Sequence, residues 1–246
     1  MKHPEGMVEG ALIERVNRFA VNVNIADKTE YAAMANPGRM KELMIPGTRC
    51  LLLPSNNPER KTRFTLLFVH HNGGWVSLHS HLANDLFAET VENRIIPELS
   101  DYRVLRREVT VGRSRLDFLL CAKSLGEDVV EVRPGRDFCY VEVKSCTLVE
   151  QGTARFPDAP TIRGARHMRE LADLATLGYR CAVVFIMQRG DAKRFLPHRE
   201  MDPDFAEALV NARNTGVEAY AVSCTVDDHQ IRPVGTIPVF LDRPAS

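Results

Sequence analysis

Tyr140-Val141-Glu142-Val143-Lys144-Ser145 is the stretch from which the rest of this chain is read. Apolar and charged residues alternate in it, the period of a half-buried β-strand. Val141 and Val143 then share one face, and Glu142 and Lys144 the other. A carboxylate and an ammonium two residues apart on one face can serve a metal ion and a charged oxygen together, as in the E-x-K half of a nuclease-type metal site. A second carboxylate on a neighbouring strand completes such a site. Ser114-Arg115-Leu116-Asp117-Phe118-Leu119-Leu120 offers one in Asp117. The same alternation also describes any solvated amphipathic strand.

Downstream, the apolar spacing predicts a helix over 162–177, closed by Gly178 as a C-cap. The next strand, 180–188, is apolar on both faces, as a sheet interior demands. Strand 138–148, this helix and that strand form a βαβ unit, expected to be right-handed. A second helix over 204–214, capped by Gly216, and a strand over 217–226 follow. Upstream, strands are expected at 104–111 and 115–122. Leu82, Leu86, Val91, Ile95 and Leu99 recur at helical spacing before them. Asp85, Glu89 and Glu92 share one stripe of that helix, a pattern a solvated acidic face also gives.

The first third is β-rich. Strand patterns run over 12–25 with one interruption, 50–54, 62–71 and 75–78. They are separated by turn signals at Ala35-Asn36-Pro37-Gly38-Arg39-Met40, Ser55-Asn56-Asn57-Pro58 and His71-Asn72-Gly73-Gly74. Short strands at this spacing predict a small β-barrel or sandwich, with an OB-like barrel as one option. The boundary falls at about residue 80, giving an OB-like domain over 1–80 and an α/β domain over 81–246. Arg39, Lys41, Arg60, Lys61 and Arg63 lie in or beside the turns. Basic residues beside aromatics on an OB face suit single-stranded nucleic acid, and basic loops are also simply solvated.

Lys and Arg total 32, as do Asp and Glu, so the formal net charge is zero and any nucleic-acid footprint must be a local patch. Six cysteines form no C-x-x-C pair, which argues against a zinc knuckle or redox motif. No signal-peptide core and no apolar run long enough to span a bilayer is present, so a reducing cytosol and no membrane are expected.

The motifs in order resemble the sugar fermentation stimulation protein family, SfsA. They are Asn36-Pro37-Gly38-Arg39-Met40, Ser55-Asn56-Asn57-Pro58 with Arg60-Lys61, Asn84 with Glu89, and Gly112-Arg113-Ser114-Arg115-Leu116-Asp117-Phe118. Val141 to Leu148, Phe156-Pro157-Asp158-Ala159, Thr161, Arg163-Gly164, His167 and Gln188-Arg189 continue the series. In one departure, Ala33 and Met34 stand where the family often has His or Cys. The resemblance implies an α/β (α+β) chain: an OB-like β-barrel followed by a PD-(D/E)XK nuclease-like mixed-sheet domain with flanking helices. It implies non-specific DNA binding and a part in regulating sugar, especially maltose, metabolism. Position by position, Asp117, Glu142 and Lys144 match the nuclease signature. Glu89 matches the acidic residue such nucleases often carry on their first helix.

Phosphodiester hydrolysis needs an activated water and charge stabilisation, both of which a carboxylate-held Mg²⁺ or Mn²⁺ supplies. Asp117, Glu142, the Val143 carbonyl and waters suffice as oxygen ligands. Lys144 then positions the water or neutralises the phosphate, and Glu89 holds a metal-bound water. Arg115, Arg163 and His167 are candidate phosphate contacts, Arg163 opening a helix whose N–H groups favour anions. His167 reads equally as an interior histidine. Two classes of function stay open: a DNA-binding regulator on a nuclease scaffold, and an active metal-dependent nuclease on DNA or RNA.

Overall fold

The computed structural model describes residues 1–57, 59–112, 114–126 and 131–241; Pro58 and Arg113, quoted within motifs above, lie outside them. The first part is a closed barrel. Its strands are β1 (Val8–Asn17), β2 (Ala20–Ile25), β3 (Lys28–Met34), β4 (Arg49–Pro54), β5 (Phe64–His71) and β6 (Gly74–Ser77). They pair in the order β3-β2-β1-β4-β5-β6, and a parallel β3–β5 pairing closes the ring. The interruption expected within 12–25 is the tight turn Arg18–Phe19, where Asn17 Oδ1 accepts the Phe19 N–H at 2.8 Å. β3 is not among the strands expected from the sequence. The turn before it is made by Ala26 and Asp27 with φ of 49° and 60°, a primed hairpin without the glycine that usually marks one. Leu12, Val21, Val23, Ala32, Leu52, Leu66 and Val69 fill the barrel, and Met40 and Leu43 of the β3–β4 loop plug it.

The second part begins with α1 (Leu82–Glu92). The helix expected to run on to Leu99 stops at Glu92. Arg94 adopts φ 56°, and the Arg94 and Ile95 N–H groups bond back to Val91 and Thr90, a Schellman closure built without glycine. Then come β7 (Tyr102–Val111), β8 (Ser114–Ala122), β9 (Gly135–Cys146), β10 (Val149–Glu150), β11 (Thr153–Phe156), α2 (Ile162–Thr176), β12 (Tyr179–Met187), β13 (Arg194–Pro197), α3 (Pro203–Asn214), β14 (Glu218–Val226) and β15 (Ile231–Ile237). The main sheet has the order β15-β14-β12-β9-β8-β7, with β9, β12 and β14 parallel and the outer strands antiparallel. β9–α2–β12 is thus the expected βαβ unit. The small β10-β11-β13 sheet and edge strand β15 were not expected, because their short, Pro- and Arg-bearing sequences carry no clear alternation.

Helices cover both faces of this sheet. Ala83, Leu86, Phe87 and Val91 of α1 pack on Phe118, Val141, Val143 and Val184. Ala165, Met168 and Leu171 of α2, with Phe205 and Leu209 of α3, pack on Leu119, Tyr140, Val183 and Phe185. Burial on both faces explains why β9 and β12 are apolar in succession. Among the described residues no helix is long and apolar enough to cross a membrane, and all six cysteines are buried and unpaired.

The two parts meet through polar groups. Gln188, fully buried at the end of β12, accepts the Ser77 hydroxyl of β6 at 2.8 Å and donates to Ser145 Oγ of β9 at 2.8 Å. Arg189, 1% exposed, holds Asp191 through two hydrogen bonds and the Thr147 carbonyl through a third. Asp158 accepts the Met40 N–H of the barrel loop at 2.5 Å. The first residues pair with the second part and pack on the barrel: the Met1 ammonium bonds the Ile231 carbonyl, Lys2 bridges Gln230, and the His3 ring lies 4.3 Å from that of Phe68 in β5.

Candidate metal and phosphate site

β8 and β9 bring the two carboxylates to one level of the sheet. Their ladder runs from Cys121 opposite Phe138 to Phe118 opposite Val141, and Asp117 and Glu142 follow at the next step. There the Asp117 carboxylate takes the place of the backbone pairing: Oδ2 accepts the Val143 N–H at 2.8 Å, and Oδ1 accepts Asn84 Nδ2 at 3.0 Å. Asn84 comes from the first turn of α1.

Glu142 is 3% exposed. Its Oε1 accepts Lys144 Nζ at 2.5 Å and a hydrogen bond from His167 Nδ1. Its Oε2 is buried and has no hydrogen-bond partner among the described residues. His167 is buried on the inner stripe of α2, and its Nε2 lies 3.3 Å from Arg163 Nε. These contacts fit a ring carrying its proton on Nδ1, which donates to Glu142 while Nε2 accepts from Arg163. On that assignment the 3.5 Å approach of Lys144 Nζ to Nδ1 is proximity rather than a bond.

The electrostatics separate the two acids. Burial disfavours charge on Glu142, but the His167 hydrogen bond and the Lys144 ammonium outweigh it and hold the carboxyl below its usual range. Asp117 moves the other way. Burial raises its pKa, the charge of Glu142 adds to this, and the Val143 and Asn84 bonds offset it only in part. A cation between the two would relieve both the repulsion at Asp117 and the vacant valence of Glu142 Oε2.

α2 is positioned for this site by its cap. Thr161 Oγ1 accepts the Gly164 N–H at 2.9 Å, and a Cβ on Gly164 would stand 2.6 Å from Thr161 Cγ2 and 3.2 Å from Phe205 Cδ2. Glycine there lets the helix start lie against α3, which sets Arg163 and His167 over β9.

Asp117, Glu142, Lys144, His167 and Arg163 are therefore brought together, and Val143 joins them through its N–H to Asp117. Two expectations change. Glu89 is not at this cluster: its Oε2 pairs with the Met1 ammonium at 3.2 Å, and Asn84 is the α1 residue that reaches Asp117. His167 is too deeply buried to touch a phosphate and instead orients Glu142. Arg115 is exposed on the β7–β8 hairpin, 3.3 Å from Glu108. Arg39, Arg60 and Lys61 are exposed on barrel loops. Asn84 and Gln188 had no role assigned from sequence. Gln188 was findable as a polar residue ending the apolar run of a central strand, whereas helical periodicity does not distinguish Asn84 from a surface asparagine and only the family motif singled it out.

Two family models cover most of the chain: the SfsA N-terminal OB domain over residues 13–78, and the sugar fermentation stimulation protein RE domain over 81–230. A sugar fermentation stimulation protein homolog of Alkaliphilus metalliredigens is 41% identical over 95% of this chain and 96% of its own. One from Methanobrevibacter smithii is 41% identical over 96% of each. The solved structure of Pyrococcus furiosus SfsA in complex with Ca²⁺ superposes with a TM-score of 0.84 at 33% identity, covering 98% of this chain and 99% of that one. With a barrel and a helix-flanked sheet in the same order and motifs matched along its length, the chain belongs to the SfsA family.

Proposed function

We propose that this protein binds DNA through its phosphates and carries a divalent-metal phosphodiesterase site at Asp117, Glu142 and Lys144. The observation that carries the reading is the buried Oε2 of Glu142, without a hydrogen-bond partner among the described residues and close enough to Asp117 for its charge to raise that acid's pKa, with an ammonium two residues on. A buried acceptor without a donor costs about 1–3 kcal/mol, and a cation is the partner that two carboxylates favour. Among the described residues no three His, Cys, Asp or Glu side chains converge as a metal cluster. The fitting ion is therefore one content with two carboxylates, a carbonyl such as that of Val143, and water, which describes Mg²⁺ or Mn²⁺. The Ca²⁺ bound by the Pyrococcus relative supports a divalent site in this chain.

Bound there, the ion supplies an activated water and charge neutralisation. Asp117 is held ready by the Val143 N–H and Asn84. Glu142 is aimed by His167, itself held by Arg163. Lys144, at 11% side-chain exposure, can turn its ammonium from Glu142 to a phosphate oxygen. Exposed Arg39, Arg60, Lys61 and Arg115 supply phosphate contacts without reading bases, so affinity falls with salt by a log–log slope of about −0.9 per phosphate neutralised on duplex. The relatives' name refers to sugar fermentation; regulation of sugar metabolism follows from this reading only by way of DNA binding.

The test is cleavage of single- and double-stranded DNA and RNA by purified protein with Mg²⁺ or Mn²⁺, beside Lys144→Ala. Metal-dependent cleavage lost in the variant is expected. Metal binding and DNA binding with no cleavage of any substrate would leave a binding protein on a nuclease scaffold.

A further inference from the structure

Between the barrel and the sheet lies a cavity of about 350 Å³. Arg18 and Asn36 line it from the barrel, and Ser145, Arg155, Asp158 and Thr161 from the second part. It adjoins the carboxylate site along the chain: Ser145 follows Lys144 in β9, and Thr161 caps the helix that carries Arg163 and His167. The volume is near the lower end of the roughly 300–1,000 Å³ range of ligand pockets. It admits one nucleotide but not a duplex, whose major groove alone is about 12 Å wide.

The chemistry of the walls is mixed. Arg18 offers positive charge, Arg155 is paired with Glu150 at 3.0 Å, and Asp158 and the buried Asn36, which already accept the Met40 and Gly38 N–H groups, keep one polar atom each for a ligand. That arrangement suits a phosphate at Arg18 and a base edge toward the carboxylate and amide. The barrel side is built to hold its shape. Arg15 donates to the Asn17, Arg18 and Arg39 carbonyls, fastening the β1–β2 turn over the Asn36–Met40 loop. Arg15 is thereby spent on the fold, whereas Arg18 has no ion pair among the described residues. Next to Arg18, Phe19 is 58% exposed, and Tyr31, whose hydroxyl meets Asn17 Nδ2 at 3.4 Å, is also exposed. An arginine with uncovered aromatic rings on a barrel face is a stacking platform for unpaired bases.

We infer that the cavity between the domains seats an unpaired nucleotide flanking the phosphate held at Lys144, and that Phe19 stacks the next base. The preferred ligand is then a nucleic acid single-stranded on one side of the site. This rests on the phosphodiester reading above for the position of the phosphate.

Anisotropy titrations without divalent ions, at one fixed salt concentration, test it with four labelled probes: single-stranded DNA, single-stranded RNA, a blunt DNA duplex and the same duplex with an overhang. The proteins are wild type, Arg18→Ala, Phe19→Ala and Ala159→Phe, the last placing a ring into the cavity from its lining. Wild type should bind the overhang duplex, and at least one single strand, about tenfold more tightly than the blunt duplex. Which single strand binds identifies the sugar recognised. Each variant should remove most of that preference, about five- to tenfold for Phe19→Ala on the stacking scale, and leave blunt-duplex affinity within about twofold. Equal binding of all forms, binding of none, or variants that weaken blunt and overhang probes alike would overturn the inference. Because no metal is present, that failure leaves the carboxylate site to be judged by metal titration alone.

Discussion

Lys144→Met isolates the ion pair at the centre of the site. Methionine keeps the length and apolar stem of lysine, so the loss is the ammonium, 2.5 Å from Glu142 Oε1. The two side chains are 11% and 3% exposed, so the pair is close to fully buried. Removing one partner of a buried pair typically costs about 3–5 kcal/mol, because the other charge is left desolvated. His167 still donates to Glu142, which lowers the expected cost to about 2–4 kcal/mol at pH 8, a large share of the roughly 5–15 kcal/mol of a typical domain. The effect depends on pH in a fixed direction. In the wild type the carboxyl is held below its ordinary value, so its stabilisation is present above that value and fades as pH falls through the folded pKa. Without Lys144, burial dominates and Glu142 takes up a proton earlier, which relieves the penalty. The stability gap therefore narrows on acidification. Urea unfolding at pH 8 and pH 5, with unchanged m-values, measures it. A divalent cation should stabilise the variant more than the wild type, since it replaces the missing charge. A variant as stable as the wild type at pH 8 would refute the claim that Lys144 holds this carboxylate.

Glu42 should show the opposite pH sign. Burial raises its pKa to about 7 from an ordinary 4.5, and Arg189 stands 3.8 Å away, too far to satisfy it. The unfolded chain then gives up its proton first, so stability falls between about pH 4.5 and 7; Glu42→Gln should raise the melting temperature at pH 8, by about 1–2 kcal/mol of stability, and leave it unchanged below pH 4.5. Gly164→Ala sets helix propensity against space. Alanine gains about 1 kcal/mol in a helix, but its Cβ, 2.6 Å from Thr161, forces the cap open, and overpacking costs about 1–3 kcal/mol. A net loss in thermal stability is expected, and a stabilised variant would show that the α2 start has room to relax.

The alternation in Val141–Lys144 and the acid at Asp117 placed the two acids on neighbouring strands only together with the family resemblance, and the strand read as half-buried is buried on both faces, Glu142 included, because helices cover the sheet on each side. The barrel was legible as a count of short strands, but its closure was not. β3 is introduced by a turn without glycine, and a parallel β3–β5 contact leaves no local trace. Glu89 shows the limit of helical position as evidence. The stripe places it on the right helix, while the direction of its side chain is set by an ammonium 88 residues away in sequence. His167 presents the same difficulty in reverse. Helical spacing buries it beside Met168 and Leu171, and only the placement of α2 against the sheet reveals that Glu142 is its partner.

Calorimetric titration of Mg²⁺ and Mn²⁺ into wild type and Glu142→Gln tests the site most directly. The amide keeps the shape of the side chain but loses the charge, and the unpartnered Oε2 that a cation would take no longer carries it. The wild type should bind a divalent ion and Glu142→Gln should not, while metal-free DNA affinity persists or rises because a negative charge facing the phosphates has gone. Equal metal affinity in the two proteins would show that Glu142 is not a ligand, and the phosphodiesterase reading would fall with it.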